Sequence, residues 1–241
     1  MNLFQESKAA LEQKGFSTIN SVYGQEEIDS IIKLIDSQNS SSPTFRKSED
    51  LFAIRQFIKE LPEIKPLVFN EKLNSIIKSI AGEDYFIVKS IYFDKPEKSN
   101  WFVAYHQDLT ISVDKKENIE GFGSWTSKHN QFAVQPPLEI LENIFTIRIH
   151  LDETNENNGA LKVVDQSHSK KIYRPEKIDW TIEKESLCNV EAGGIMLMKP
   201  LLVHGSNRTS NNKRRRVIHI EFSNKELPNG INWSEFSKIT N

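Results

Sequence analysis

The triplet His106-Gln107-Asp108 and the later residue His204 are the side chains of this sequence that best suit a metal ion. Two imidazoles and one carboxylate can occupy one face of an octahedral Fe(II) ion and leave the opposite positions open, as in non-haem iron oxygenases. Three consecutive arginines, Arg214 to Arg216, begin ten residues after His204. A buried arginine near such an ion suits the distal carboxylate of 2-oxoglutarate, because a guanidinium can bind a carboxylate through two parallel hydrogen bonds. These residue types therefore indicate oxygenase chemistry.

Two further triplets have the same form, His150-Leu151-Asp152 and His219-Ile220-Glu221, and spacing alone does not choose among the three. The context favours the first triplet, because its histidine ends an apolar run and shares one strand face with the carboxylate two residues later. His204 ends a second apolar run, and a turn with a return strand would bring an arginine back beside it. We expect structural roles for the other two triplets and a solvated position for His129, which lies in a polar loop.

The first third of the chain has the periodicity of amphipathic helices. Apolar residues spaced by three and four predict helices over residues 26–36, 48–61 and 70–80, and a Ser-rich loop over residues 37–43 separates the first two. Pro62 marks the end of the second helix, whereas Asn70 and Gly82 suit the two ends of the third.

After Gly82 the apolar residues alternate with polar ones, which is typical of strands. Strands are predicted at 85–93, 101–105, 145–152, 160–164, 195–198 and 217–222, with turn signals such as Asn158-Gly159 between them. Helices followed by short strands predict a mainly β, α+β fold, in which a jelly roll is buttressed on one side by N-terminal helices. We expect a single domain over residues 1–241, mainly helical over 1–82 and with its jelly-roll core over 83–233.

The composition of the chain limits the kinds of partner that it can bind. With 31 basic and 33 acidic residues, the formal net charge is −2, which gives no general attraction to nucleic acid or to anionic membranes. No apolar run approaches the roughly 20 residues of a membrane span, and residues 1–14 lack the apolar core of a secretory signal. A single cysteine, Cys188, cannot form an internal disulfide. We therefore expect a cytoplasmic protein that acts on a small molecule.

The predicted strand over residues 145–152 indicates how the site is lined. If its apolar face packs against the core, then Thr146, Arg148 and His150 face the cavity. A buried arginine needs an anionic partner, so Arg148 is either a second carboxylate clamp, a substrate contact or the partner of an acidic residue of the fold. Lys89 is a weaker candidate for the same roles, and a substrate that meets these cations would carry a negative group. Trp125 lies either near the substrate or in an ordinary surface loop.

Several motifs occur in the order and spacing of a known family. They are Asn100-Trp101, Tyr105-His106-Gln107-Asp108, His150-Leu151-Asp152-Glu153, Asn158-Gly159-Ala160-Leu161, His204-Gly205-Ser206 and Arg215 to Phe222. From about Tyr85 to Trp233 the chain thus resembles the phytanoyl-CoA dioxygenase family of Fe(II)/2-oxoglutarate oxygenases. The resemblance implies a double-stranded β-helix in which His106, Asp108 and His204 bind iron. It also implies that Arg215, eleven residues after the distal histidine, binds 2-oxoglutarate with help from the hydroxyl of Ser206.

The same resemblance implies an activity. It is the hydroxylation of a small metabolite with O2, while 2-oxoglutarate is converted to succinate and CO2; with Asp108 present, halogenation is not expected. The chain departs from the family pattern at Asp165-Gln166-Ser167-His168, where many relatives carry Pro-Gly-Ser-His. Two alternatives stay open, a cupin-type metalloprotein that does not use 2-oxoglutarate and a non-catalytic jelly-roll binding protein. Arg215 separates the first of them, because a cupin does not need it.

Overall fold

Two antiparallel sheets form the centre of the protein, which a computed structural model describes over residues 3–38, 44–48, 52–97, 99, 101–128, 131–228 and 230–239. The strands are β1 (Phe16–Ile19), β2 (Phe45–Lys47), β3 (Phe52–Arg55), β4 (Phe86–Lys95), β5 (Val103–His106), β6 (Ile111–Val113), β7 (Gly123–Lys128), β8 (Gln131–Gln135), β9 (Ile144–His150), β10 (Leu161–Val164), β11 (Glu185–Cys188), β12 (Ile195–Met198), β13 (His204–Ser206), β14 (Arg215–Ser223) and β15 (Ser237–Lys238). The large sheet has the order β1-β12-β9-β14-β4-β3-β2, with β15 paired to β4. The small sheet has the order β11-β10-β13-β5, and β6, β8 and β7 form a separate sheet.

The large and small sheets face each other. Side chains of both share one buried apolar cluster, which contains Leu161 and Val163 of β10, Cys188 of β11, and Met196 and Met198 of β12. Since residues of the two sheets meet in this cluster, the space between the sheets is the interior of a jelly roll.

The helices are α1 (Leu3–Lys14), α2 (Gln25–Asp36), α3 (Phe57–Glu60), α4 (Lys65–Val68), α5 (Glu71–Ala81) and α6 (Leu138–Glu142), and short 3-10 turns occur at Pro62–Ile64, Glu156–Asn158, Ser167–Lys170 and Pro175–Lys177. Helix α5 begins at Asn70, whose side chain accepts a hydrogen bond of 2.8 Å from the Leu73 amide. It ends before Gly82, which has a φ of 86° that favours glycine. Within the described ranges, no helix is long and apolar enough to cross a membrane.

The outer face of the large sheet carries the main hydrophobic core. The buried cluster there combines Phe145, Ile147 and Ile149 of β9 and Ile218, Ile220 and Phe222 of β14 with Ile31, Phe57, Leu73 and Ile76 of the helices. Each fully buried side chain of this size contributes about 1.5–3 kcal/mol to folding. Because the apolar residues of β9 and β14 face the helices, the residues that alternate with them point into the interior.

The register of the large sheet places polar residues of neighbouring strands side by side on that inner face. His219 of β14 lies opposite Arg148 of β9, and Glu221 lies opposite Lys89 of β4. Residues that are directly opposite in an antiparallel pair point to the same face. The interior therefore receives a polar row from three adjacent strands.

The N-terminal region contains strands as well as helices. The expected helix over residues 48–61 is wrong in its middle, since Phe52–Arg55 forms β3 and only Phe57–Glu60 is helical after Gln56, which has a φ of 53°. Ile54 pairs with Tyr92 of β4, so backbone bonds to a distant strand replace those of a helix. Strand β1 likewise pairs with β12. Residues 39–43 of the predicted Ser-rich loop and residues 49–51 lie outside the described residues.

Candidate active site

His106, Asp108 and His204 converge between the sheets. His106 ends β5 and His204 begins β13, and these two residues pair directly across the small sheet. Their rings are 4.3 Å apart between centroids. The Asp108 carboxylate lies 3.9 Å from Nε2 of His106 and 3.8 Å from Nε2 of His204. All three side chains thus offer one ligand atom within 4.8 Å of the others, which suits a single metal ion.

Hydrogen bonds set the tautomer of both rings. Nδ1 of His106 lies 2.8 Å from the carbonyl of Ala104, and Nδ1 of His204 lies 2.9 Å from the carbonyl of Leu202. A carbonyl can only accept, so each Nδ1 carries a proton, and in the neutral ring Nε2 then keeps a lone pair that faces Asp108. Burial lowers the pKa of His204 to about 4, which keeps this imidazole neutral and able to bind a metal. The side chain of His106 is 42% exposed and that of His204 is 6% exposed, so the site opens on the side of His106.

The carboxylate of Asp108 is held in its charged form. Burial by itself raises the pKa of this group, but the interaction with His204 and the positive charge of Lys89 lower it below its usual value. The Asp108 amide donates a hydrogen bond of 3.0 Å to the carbonyl of Pro200, which fixes the backbone just before His204 and its strand. The charged ligand is therefore set by burial, charge and backbone together.

Gln107, the middle residue of the triplet, has a positioning role that the sequence analysis missed. Its side-chain amide donates to the carbonyls of Lys171 and Leu201 at 2.7 and 2.5 Å, and its oxygen accepts a hydrogen bond of 2.8 Å from the Tyr173 amide. Since it points away from the metal-binding face, alternation along the strand was the available signal. These bonds tie the triplet to the loops around it.

Arg215 is a buried cation without an acidic partner among the described residues. One guanidinium nitrogen donates a hydrogen bond of 2.7 Å to the carbonyl of Gly159, and Nε has no partner. Burial, followed by the nearby cation of Arg148, lowers the pKa of Arg215 to about 9. A guanidinium in this environment still carries its charge at neutral pH and lacks an anion.

The two neighbouring arginines differ from Arg215. Arg214 makes two hydrogen bonds, of 2.8 and 2.5 Å, to the carboxylate of Asp94. Arg216 makes two, of 2.9 and 2.7 Å, to the carboxylate of Asp152. The alternation along β14 thus points Arg215 inwards, as expected. The Arg214 side chain is 41% exposed, so this residue lies at the surface while it pairs with Asp94.

Arg148, His219, Glu221 and Lys89 form one hydrogen-bonded row next to Asp108. Arg148 donates to Nδ1 of His219 at 3.1 Å, so the ring proton resides on Nε2, which lies 3.1 Å from the Glu221 carboxylate. Lys89 donates to the same carboxylate oxygen at 2.7 Å. Atoms of Asp108, His219 and Glu221 lie within 4.8 Å of one another. Lys89 therefore pairs with an acid of the fold, whereas Arg148 has no described acidic partner.

The remaining predicted residues fall in different places. Ser206 is buried on β13, two residues after His204. His150 is buried, with Nδ1 2.7 Å from the Thr154 hydroxyl and Nε2 without a partner. Trp125 lies in β7 and lines a surface cavity with Lys116 to Asn118, and no metal-binding residue lines that cavity. A substrate contact at Trp125 stays a prediction, and the predicted position of His129 lies outside the described residues.

A cleft of about 430 Å³ adjoins the row of polar residues. Lys89 lines it together with Arg55, Lys59 and Gln131. The Lys89 side chain is 18% exposed, so it lies at the boundary between the cleft and the interior. A larger cavity of about 940 Å³ lies between the α3 region and residues 233–239, and neither the metal-binding group nor Lys89 lines it. The smaller cleft therefore gives a small molecule access to Lys89, although none of the three metal-binding residues lines it.

Comparisons with known proteins agree with this arrangement. A family model described as phytanoyl-CoA dioxygenase matches residues 11–217. A search of curated protein sequences gave no match.

Three solved structures illustrate the likeness in fold. EctD from S. alaskensis with bound Fe is 16% identical, with a TM-score of 0.70, over 95% of this chain and 79% of that one. HygX from Streptomyces hygroscopicus with nickel, 2-oxoglutarate and hygromycin B is 14% identical, with a TM-score of 0.64, over 91% and 86%. The alpha ketoglutarate dependent epimerase SnoN from nogalamycin biosynthesis is 12% identical, with a TM-score of 0.67, over 98% of both chains. At these identities the likeness shows the fold, which is the double-stranded β-helix.

Proposed function

The chain belongs to the phytanoyl-CoA dioxygenase family, and from this premise we propose that it is an Fe(II)- and 2-oxoglutarate-dependent dioxygenase that hydroxylates a small metabolite. The observation that carries the proposal is the convergence of two imidazoles and one carboxylate in an interior that also contains an arginine with no acidic partner among the described residues. His106, Asp108 and His204 would hold the iron, and Arg215 the distal carboxylate of 2-oxoglutarate.

The residues fit both groups. Two nitrogen ligands and one carboxylate on one face suit Fe(II) and leave three positions, two for the oxo-acid end of 2-oxoglutarate and one for O2. The unpartnered Nε of Arg215 calls for an acceptor, which a carboxylate supplies. Ser206, on the same strand as His204, would add its hydroxyl to that carboxylate. Asp108 fills the ligand position that a halide would need, which favours hydroxylation.

The iron and 2-oxoglutarate, when bound, supply the oxidising chemistry, in which one oxygen atom of O2 enters succinate and the other the substrate, with release of CO2. The protein binds and orients the reactants. His106 and His204 present lone pairs that their Nδ1 hydrogen bonds have fixed. The apolar cluster between the sheets excludes water behind the ligands.

The charges of the interior support a substrate with a negative group. Four buried or partly buried cations, Arg148, Arg215, Lys89 and Lys95, accompany the anions Asp108 and Glu221. Fe(II) and doubly charged 2-oxoglutarate cancel each other, so loading the site adds no further anion for these cations. A substrate anion in the cleft beside Lys89 would supply one. The solved structures with hygromycin B and with nogalamycin RO bound support a small molecule as the kind of substrate.

Titration of the anaerobic Fe(II) protein with 2-oxoglutarate tests the proposal. Chelation of the oxo-acid by iron on a facial triad should give a visible charge-transfer absorption, and Arg215→Met should shift it to higher concentrations. Folded, iron-loaded protein without this absorption would refute the proposal and favour a binding protein. Activity that persists unchanged in Arg215→Met would favour a cupin-type metalloprotein.

A screen for succinate formation over a metabolite library, with His106→Ala as the blank, would then find the substrate. Anionic metabolites should stimulate succinate formation most. Lys89→Met should raise the KM of such a substrate and leave the affinity for 2-oxoglutarate unchanged. Product analysis is part of the screen, because some structural relatives are described as a carbocyclase or an epimerase.

A further inference from the structure

Two buried arginines share the interior, and the proposed function gives a partner to one of them. Arg148 is 7% exposed and lies on β9, the strand next to β14. One of its nitrogens donates to Nδ1 of His219 at 3.1 Å, while Nε is buried without a partner. No described carboxylate forms an ion pair with it. A buried guanidinium with a free donor is incomplete until an anion arrives.

The contacts of Arg148 place its guanidinium at the metal end of the interior. It is bonded to His219, and a ring nitrogen of His219 lies within 4.8 Å of the Asp108 carboxylate. The charge of Asp108 also raises the pKa of Arg148 against the effect of burial. Arg215 is anchored elsewhere, by the carbonyl of Gly159. Arg215 and His219 are four residues apart on one strand, which is about 13 Å between their backbones.

Lys89 and Arg148 differ in their access to the substrate cleft. Lys89 lines the cleft and is partly exposed, whereas Arg148 is not among the residues that line it. His150 stands two residues from Arg148 on the same strand face, with a buried and unpartnered Nε2. Lys89 therefore contacts a ligand that occupies the cleft, whereas neither Arg148 nor His150 lines it. An anion bound in the interior is the partner that this position of Arg148 suits.

We propose that Arg148 is a second clamp for 2-oxoglutarate and binds the carboxylate next to the oxo group, at the metal end, while Arg215 binds the distal one. This inference rests on the proposed function. It gives separate roles to Arg148, Arg215 and Lys89, since the two arginines serve the cosubstrate and Lys89 serves the substrate. It also gives Arg148 the role of a second carboxylate clamp, one of the three roles that the sequence allows.

Binding measurements on the Ni(II)-loaded protein test these separate roles of Arg148 and Arg215 without any turnover. The probes are 2-oxoglutarate, which has both carboxylates, and pyruvate, which has only the oxo-acid end, and isothermal titration calorimetry measures their affinities. Arg148→Met should weaken both probes by about 10- to 100-fold, the effect of one lost charge-assisted hydrogen bond. Arg215→Met should weaken 2-oxoglutarate by a similar factor and leave pyruvate unchanged. Arg214→Met is the matched control, because its guanidinium pairs with Asp94 outside the interior, and it should change neither affinity.

Other results would overturn the inference in distinguishable ways. Loss of 2-oxoglutarate binding alone in Arg148→Met would place this arginine beside Arg215 at the distal carboxylate. Unchanged affinity for both probes would remove it from the cosubstrate. If the wild-type Ni(II) protein bound no 2-oxoglutarate, the proposed function would fail and the inference with it.

A structural role for Arg148 predicts a different pattern. In that case Arg148→Met would lower the melting temperature of the ligand-free protein without a matching loss of affinity. Our inference predicts the reverse, because no described carboxylate forms an ion pair with Arg148 and the charge of Asp108 offsets its burial only in part. Arg148→Lys keeps a charge but not the planar fork, so it should weaken both probes by a smaller factor than the methionine variant. This second variant carries the test if the methionine variant does not fold, and unchanged affinities in it would contradict the inference.

Discussion

Replacing Arg215 with methionine should stabilise the ligand-free protein and weaken its binding of 2-oxoglutarate. Burial and the cation of Arg148 lower the pKa of Arg215 from 12.5 to about 9, and each pKa unit corresponds to about 1.4 kcal/mol. The folded and unfolded states both keep this proton below pH 9, so the whole effect, roughly 5 kcal/mol, opposes folding at neutral pH. Methionine is similar in length and has no charge, so it removes this opposition.

One lost hydrogen bond offsets part of the gain. The carbonyl of Gly159 would lose its donor, at a cost of about 1–3 kcal/mol. A net gain of about 2–4 kcal/mol should raise the melting temperature by about 4–16 °C in a chain of this size. Thermal unfolding of the metal-free wild type and variant measures this gain. Ni(II) with 2-oxoglutarate at a hundred times the wild-type Kd should then add about 2.7 kcal/mol to the wild type. It should add only about 0.4–1.4 kcal/mol to a variant that binds 10- to 100-fold more weakly, so the difference in stability narrows by about 1.3–2.3 kcal/mol.

The neighbouring residue provides the control. Arg214→Met leaves the buried carboxylate of Asp94 without its guanidinium, so it should lower stability by about 1–3 kcal/mol and leave the stabilisation by 2-oxoglutarate intact. Two adjacent arginines should thus respond with opposite signs. A destabilised ligand-free Arg215→Met that 2-oxoglutarate stabilises as much as the wild type would refute the reasoning.

Three further changes test other parts of the site and fold. Asp108→Asn removes the charged ligand, so metal retained after dialysis should fall by more than tenfold, and normal retention would contradict the assignment. Gly159→Ala places a Cβ 2.9 Å from the carbonyl of Asn207 at a φ of +84°, which should lower both stability, by about 2 kcal/mol, and 2-oxoglutarate affinity. Gly82→Ala also has a positive φ but no atom near its Cβ, so it should lower stability alone. Burial raises the pKa of Glu235 from 4.5 to about 7. The unfolded chain therefore loses this proton at a lower pH than the folded protein does, and the free energy of unfolding falls as the pH rises from 4.5 to about 7. Glu235→Gln should remove this dependence on pH. The free energies of unfolding of wild type and variant, measured in urea, should differ by different amounts at about pH 5 and about pH 7.5, and that change should reach up to about 3 kcal/mol.

The sequence predicted the features that depend on short-range patterns. Alternation along the 145–152 segment put Arg148 and His150 on the face opposite the apolar residues, and the structure has them on that face. The same reasoning put Arg215 on the inner side of its strand. The three candidate ligands could be named from residue type and context, because each histidine ends an apolar run that becomes a buried strand or its approach.

Features that depend on distant residues could not be predicted. Residues 48–61 carry helical spacing, yet Phe52–Arg55 pairs with β4 because the edge of that strand is available about 40 residues later in the chain. The partner of Lys89 is Glu221, 132 residues away, and no local pattern reports such a pair. Gln107 was passed over for a similar reason, since its partners lie in loops after β10 and β12.

The three consecutive arginines show how the register of one strand separates structural charges from functional ones. Arg214 and Arg216 flank Arg215 and bind Asp94 and Asp152 on the other face. A slip of one residue would bring a paired arginine into the interior, turn Arg215 outwards and deprive both carboxylates of their partners. Breaking these ion pairs costs free energy, most of all at Arg216 and Asp152, whose side chains are 14% and 21% exposed, so the outer pairs oppose the slip. The neighbours of Arg215 thus hold in place a cation that weakens the ligand-free fold, and an anion that binds in the interior is what compensates for it.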